Sequence, residues 1–130
     1  MTTIACDHTH MVADSKVTME ARSEDRIYHA AKLVLKNGDI LGAAGTNDLI
    51  EKFISWYGSR KKKPTFPKGA DFEALVLTKD GRIISYDEDL SKDVVTDPYY
   101  AVGSGGNACM GALRMGATLE QAVEIACGID

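Results

Sequence analysis

The sequence has few cysteines and no run of apolar residues long enough to cross a membrane. Its three cysteines, Cys6, Cys109 and Cys127, are odd in number and far apart, which argues against a disulfide framework and favours free thiols in a reducing compartment. A membrane-spanning helix needs about 18 consecutive apolar residues. The first residues also lack the basic-then-apolar pattern of a secretory signal. We therefore expect a cytoplasmic protein with no membrane partner.

Basic residues are also in short supply. The chain has 15 Lys and Arg against 19 Asp and Glu, a net charge of −4. Proteins that bind nucleic acid normally carry a basic face, so we expect no nucleic-acid partner. The one basic run, at 60–63, adjoins a Pro-containing stretch and predicts a solvated loop. With 130 residues, 45% of them hydrophobic, residues 1–130 suit a single domain.

Short segments rich in β-branched and apolar residues flank turn residues and predict hairpins. Asn37-Gly38 and Asp80-Gly81 are strong hairpin signals between such segments. The predicted strand pairs are 2–6 with 10–14, 26–35 with 39–44, and 72–77 with 82–86, and a further strand is predicted at 99–102. We expect the polar stretch 87–98 to be irregular.

Three segments have the features of helices. Apolar residues recur at helical spacing over 46–57, with Thr46 or Asn47 placed to cap the helix and Gly58 placed to end it. A helix rich in small residues is predicted over 107–115, ending at Gly116. Thr118 and Gln121 form a capping-box pattern that opens a last helix. Hairpins rather than single strands between helices indicate an α+β protein with antiparallel sheets covered by helices.

Cys6, His8 and His10 alternate along the first hairpin and could suggest a metal site. They would lie across a turn with no fourth ligand nearby, whereas structural zinc sites use four. We therefore interpret the histidines as exposed turn residues and expect no metal. Zinc content by elemental analysis would test this alternative.

Several segments together resemble the proteasome β subunits and the bacterial HslV peptidase. They are Thr-Thr-Ile-Ala at 2–5, Ala-Asp-Ser-Lys-Val-Thr at 13–18, Lys32, Leu-Gly-Ala-Ala-Gly at 41–45 and Val-Gly-Ser-Gly-Gly at 102–106. They occur in the family's order and at roughly its spacing. The resemblance implies the four-layer αββα sandwich of N-terminal-nucleophile hydrolases, in a minimal member of bacterial or phage type. Because the family's chains continue past the last helix, we expect the fold to be truncated at the C-terminus by one or more strands.

The resemblance implies a threonine-type peptidase or amidase whose nucleophile is Thr2. Removal of Met1 would free the α-amine of Thr2, and an α-amine has an ordinary pKa near 8, so it can act as a base at neutral pH. The Thr2 hydroxyl would attack a carbonyl carbon while the amine accepts its proton. A chain that retains Met1 has an amide at this position and lacks the base.

Four further residues take catalytic roles by the same resemblance. Lys32 would lower the pKa of the amine, and Asp14 would neutralise and orient Lys32. The Gly45 N–H would stabilise the oxyanion, and Ser104 would form a hydrogen bond with the amine of Thr2. Thr18 would pair its backbone with an extended substrate, and Ala43 would line a specificity pocket.

The family implies no cofactor and takes peptides or unfolded proteins as substrates. It implies a homo-oligomeric ring, with an ATP-dependent unfoldase as a candidate partner. The alternative is a catalytically silent member of the same fold that acts as a scaffold or assembly subunit. The presence of Thr2, Asp14, Lys32 and Ser104 together favours the enzyme.

Overall fold

The computed structural model describes residues 3–14, 17–20 and 33–129. Within them the chain forms two antiparallel sheets and three helices. The strands are β1 (Thr3–Asp7), β2 (His10–Ala13), β3 (Val17–Glu20), β4 (Leu33–Lys36), β5 (Asp39–Gly45), β6 (Phe72–Leu77), β7 (Ile83–Tyr86), β8 (Lys92–Val95) and β9 (Tyr99–Gly103), and the helices are α1 (Asn47–Trp56), α2 (Gly106–Arg114) and α3 (Leu119–Ile129).

The strands are ordered β3-β2-β1-β9 in one sheet, here the first sheet, and β4-β5-β6-β7-β8 in the other, the second sheet. The predicted hairpins at Asn37-Gly38 and Asp80-Gly81 are both present. Residues 26–32 of the strand predicted before Asn37 lie outside the described residues. Asn37 and Gly38 have φ of 54° and 84°, the left-handed pair that a two-residue hairpin turn requires. Strand β9 joins the first sheet beside β1 although about 90 residues separate them, which brings distant segments of the sequence together.

Side-chain alternation along the strands divides the core into three parts. One part lies between the two sheets, a second between the second sheet and α1, and a third between the first sheet and the helices α2 and α3. The layers therefore run α1, second sheet, first sheet, then α2 with α3. The predicted α+β fold, a four-layer αββα sandwich with antiparallel sheets, is confirmed.

The capping box predicted before the last helix is present with both of its hydrogen bonds. The Gln121 N–H donates to Thr118 Oγ1 (3.2 Å between the heavy atoms), and the Thr118 N–H donates to Gln121 Oε1 (3.0 Å). These bonds satisfy amides that a helix start leaves without partners. They fix where α3 begins, and so where it packs on β1 and β2.

Two strands differ from the sequence prediction. The stretch 87–98 was predicted to be irregular, but it contains β8, which pairs with β7 from Ile83↔Val95 to Tyr86↔Lys92. Strand β3 was not predicted as a separate strand, and it pairs with β2. Both strands stand at the end of a sheet. A strand at the end of a sheet pairs with one neighbour only. Because the side chains of β8 are mostly exposed, the sequence of β8 lacks the apolar alternation that identifies a half-buried strand.

Candidate active site

The main chain of Thr3, the first described residue, forms two hydrogen bonds with Asp14. The Asp14 N–H donates to the Thr3 carbonyl oxygen (3.1 Å), which extends the β1–β2 ladder by one pair. In return, the Thr3 N–H donates to the Asp14 side-chain oxygen Oδ2 (3.3 Å) instead of to a carbonyl. The Asp14 carboxylate therefore lies directly beside the start of β1, next to the residue that follows Thr2 in the chain.

The Gly-Ser-Gly-Gly turn meets the same point from the other side of β1. Gly103 is the last residue of β9 and is opposite Thr3. The backbone groups of Thr3 are directed towards β2, so Thr3 and Gly103 form a pair without mutual hydrogen bonds. Gly103 has φ of 100°, which turns the chain out of β9 and leads the exposed Ser104 into α2.

Gly45 is the last residue of β5 in the second sheet and lies two residues before α1 begins at Asn47. Its φ is 123°, and a Cβ at this position would lie 2.0 Å from the carbonyl oxygen of Asp71, so only glycine fits. The Thr46 N–H donates to that same oxygen (3.0 Å). Because hydrogen-bonded and non-bonded pairs alternate in an antiparallel ladder, the N–H of Gly45 is directed away from β6.

Glu73, a residue that was not selected from the sequence, reaches the site from β6. It is paired with Ala44, and its Oε1 accepts a hydrogen bond from the Gly103 N–H at 3.4 Å. Partial burial raises the pKa of the Glu73 carboxyl, the Gly103 hydrogen bond lowers it, and the negative charges of Asp87 and Asp71 raise it further, so the net pKa lies above the ordinary value. The signal in sequence was a single acidic residue at the start of an otherwise apolar strand.

A cavity of about 610 Å³ opens on the flank of this region. Glu73 and Phe72 line it together with an acidic wall formed by Asp71, Asp87, Glu88 and Asp89. Lys68 also lines the cavity, but the acidic side chains outnumber it, so the electrostatic potential on this side of the candidate site is negative.

The predicted catalytic residues divide into two groups. Asp14 and Ser104 lie in segments that meet at Thr3. Gly45 lies at the end of β5 that pairs with the start of β6. Thr2 and Lys32 lie outside the described residues. Their roles remain predictions.

The two predicted substrate-binding residues are placed differently from each other. Thr18 is opposite Val12 in the β2–β3 pair, and among the described residues β3 stands at the end of its sheet. Ala43 is 3% exposed and packs in the core beneath α1, on the opposite face of β5 from Ala44. Ala44 is the residue of this pair that faces the space between the sheets. The pocket role of Ala43 stays a prediction, and its buried position does not favour it.

The residues considered for a metal site are directed apart. Cys6 is buried between the sheets, and burial raises the pKa of its thiol well above the ordinary range. His8 is exposed, with Nδ1 at 2.8 Å from the Gly81 carbonyl oxygen and Nε2 at 2.9 Å from that of Asp97. Within the described ranges no three His, Cys, Asp or Glu side chains are grouped to hold a metal ion.

Comparison with known proteins gives structural likeness without sequence matches. No family model matches the chain, and no curated protein matches it. The solved structure of HslV from Trypanosoma brucei superposes with a TM-score of 0.58 at 17% identity, covering 98% of this chain and 91% of that one. Thiobacillus denitrificans BPH, solved alone and in complex with epoxomicin, superposes with a TM-score of 0.56 at 11% identity, covering 96% of this chain and 86% of that one. The chain therefore has the proteasome/HslV-type fold.

In the part of the chain that the structure describes, no helix is long and apolar enough to cross a membrane.

Proposed function

We propose that this chain, which has the proteasome/HslV-type fold, is a threonine-type peptidase or amidase with Thr2 as its nucleophile. The observation that carries the proposal is the meeting of three predicted segments at Thr3. The start of β1, the Asp14 segment and the Gly103–Ser104 turn are far apart in sequence, and hydrogen bonds and strand pairing bring them together beside the residue that follows Thr2.

In the proposed mechanism the Thr2 hydroxyl attacks the carbonyl carbon of the substrate. The α-amine of Thr2, free once Met1 is removed, takes the hydroxyl proton and later delivers it to the leaving amine. Lys32 lowers the pKa of this amine, and the Asp14 carboxylate balances the charge of Lys32. Ser104 assists the amine from the other side of β1.

We assign to the N–H of Gly45 the stabilisation of the negatively charged oxygen of the tetrahedral intermediate. This N–H is directed away from β6, and Gly45 lies two residues before α1, whose positive end favours negative charge. An extended substrate would pair with β3 near Thr18. The substrates are peptides or unfolded proteins, and no cofactor takes part in any of these steps.

Intact mass and turnover on the same preparation test the proposal. A chain that has lost one methionine should cleave fluorogenic peptides, and a matched preparation that retains Met1 should not. By analogy with the epoxomicin complex of the similar BPH, we also expect epoxomicin to stop turnover. Absence of turnover from protein with a free Thr2 would contradict the proposal and leave the catalytically silent scaffold subunit as the remaining interpretation.

The charge pair proposed between Asp14 and Lys32 gives a specific expectation. Asp14→Asn keeps an oxygen that can accept the Thr3 N–H but removes the charge, and it should lower the rate at least ~10²-fold with KM little changed. Lys32→Ala should have a similar effect. Because the two residues act as a unit, the double variant should be about as impaired as either single variant. A full rate in either single variant would remove that residue from the mechanism. Additive losses in the double variant would contradict the proposed charge pair.

We also propose that the protein assembles into a homo-oligomeric ring with Thr2 facing inward. Two large apolar side chains on the outer helical layer are exposed: Met115, 88%, just after α2, and Ile125, 48%, on α3. Exposed apolar side chains on adjacent helices favour burial against another chain. An enclosed active site would limit cleavage to chains able to enter, and an ATP-dependent unfoldase is the partner that could supply them.

Light scattering at micromolar concentration tests the assembly. We expect a mass several times 14.0 kDa for the wild type and a lower mass for the double variant Met115→Glu and Ile125→Glu. Val94→Glu is the matched control, because Val94 is also exposed, at 58%, but lies on β8 in the other sheet, and its mass should stay that of the wild type. A wild-type mass of 14.0 kDa would overturn the ring.

We place the protein in the cytoplasm. None of the three cysteines, Cys6, Cys109 and Cys127, forms a disulfide bond, and Cys127 is exposed. An exposed thiol is better preserved in a reducing compartment.

A further inference from the structure

Glu73 lies where the two sheets come together at the candidate active site. On β6 it shares a face with Leu75 and Leu77, whose side chains form the core between the sheets. At the end of the strand that core gives way to solvent, and the Glu73 carboxyl extends across to the first sheet. It forms a hydrogen bond there with the N–H of Gly103.

The Gly103 N–H, which donates to Glu73, takes no part in the strand pairing of the first sheet. The backbone groups of Thr3 are directed towards β2, so the N–H of Gly103 does not bond to β1. This amide is in the peptide unit between Val102 and Gly103, at the point where φ of 100° turns the chain towards Ser104. A hydrogen bond at this amide therefore fixes the direction in which the turn leaves β9.

The ionised carboxylate of Glu73 lowers the free energy of unfolding, and a purely structural role does not explain this cost. Its pKa is raised by partial burial and by Asp87 and Asp71. A raised pKa in the folded state means that this group opposes folding as the pH rises from its unfolded pKa through its folded pKa. Above that range Glu73→Gln should therefore be at least as stable as the wild type. A residue that lowers stability beside an active site is often retained for function.

We propose that Glu73 is a positioning residue that holds the Gly103–Ser104 turn against the start of β1. The inference rests on the proposed function, because the turn matters only if Ser104 assists Thr2. The glutamate acts through the oxygen that accepts the Gly103 N–H and not through its charge. Without it, Ser104 loses its fixed place relative to β1, and the rate of the chemical step falls while substrate binding is little affected.

Three variants of the whole assembled protein test this. Glu73→Ala removes the acceptor and should lower kcat about tenfold at unchanged KM, in line with the loss of one hydrogen bond at a partly exposed position. Glu73→Gln keeps an acceptor oxygen and should retain most of the wild-type kcat. Asp87→Asn is the matched control, since it removes a neighbouring negative charge without touching Gly103, and it should also retain kcat.

Hydrogen exchange at Gly103, followed by mass spectrometry of the peptide spanning 99–106, gives a readout independent of turnover. We expect faster exchange in Glu73→Ala and wild-type exchange in Glu73→Gln. A full kcat in Glu73→Ala would overturn the inference, and so would equal impairment of both variants, because the charge would then matter and not the acceptor. A wild type without turnover would overturn the proposed function instead, and exchange at Gly103 would still report whether Glu73 holds this turn.

Discussion

Replacing Thr2 with alanine is expected to reduce hydrolysis by at least ~10⁴-fold, because the variant lacks the hydroxyl that we propose as the nucleophile. The fold and the assembly should be unchanged. Turnover of a fluorogenic peptide by the purified protein lacking Met1 measures the loss. Undiminished turnover in the variant would contradict the assignment of Thr2 as the nucleophile.

Thr3→Val is the matched control for this substitution. The Thr3 side chain is buried, and its hydroxyl has no hydrogen-bond partner among the described residues. Replacing an unsatisfied buried hydroxyl with a methyl group should stabilise the fold by about 1 kcal/mol. The main-chain bonds of Thr3 to Asp14 remain, so hydrolysis should continue. If both variants lost activity alike, the loss would reflect damage to the start of β1 and not removal of the nucleophile.

Gly45→Ala is expected to have the largest effect on folding. A Cβ at this position would lie 2.0 Å from the Asp71 carbonyl oxygen and 3.0 Å from the Phe72 Cα, and both are backbone atoms at the junction where the paired strand β6 begins. The clash can be relieved only by separating β5 from β6 at the point where α1 begins. We expect a loss of on the order of 4 kcal/mol in the free energy of unfolding, or failure to fold, measured by denaturant titration.

Gly69→Ala separates the steric clash from the backbone conformation. Gly69 also has a positive φ, 79°, but a Cβ there would meet nothing within 4 Å. Its cost should be the conformational term alone, about 1–2 kcal/mol. Equal losses at the two positions would mean that the contact with Asp71 yields easily, and the rigid junction before α1 that we assign to the oxyanion site would then lose its support.

Local chemistry was enough to predict much of the fold. The Asn37-Gly38 turn needs two residues with positive φ, and the Thr118–Gln121 capping box needs a hydroxyl and an amide three residues apart. Such signals depend only on nearby atoms, so they can be recognised without knowledge of the rest of the chain. The predicted hairpins between the helices, in place of single strands, then indicated antiparallel sheets covered by helices.

The same reasoning failed where a neighbour in space supplies the order. Strand β8 is stabilised by its pairing with β7, and its own side chains are mostly exposed, so its sequence resembles a loop. The face of a strand residue is equally difficult to predict. Side chains alternate with a period of two, so a one-residue uncertainty in register exchanges Ala43, beneath α1, for Ala44, between the sheets.

By itself, the sequence determined the turns, the helix boundaries and the order of segments that resembles the proteasome and HslV, because these follow from local residue types. Tertiary structure alone decided that Asp14 and Gly103 meet at Thr3 and that Glu73 crosses from one sheet to the other. The physical reason is that these contacts join residues 11 to 100 positions apart, and their distances are set by strand order and sheet packing. No local pattern around Glu73 indicates that its carboxyl reaches Gly103, since that contact exists only once β6 and β9 lie in facing sheets.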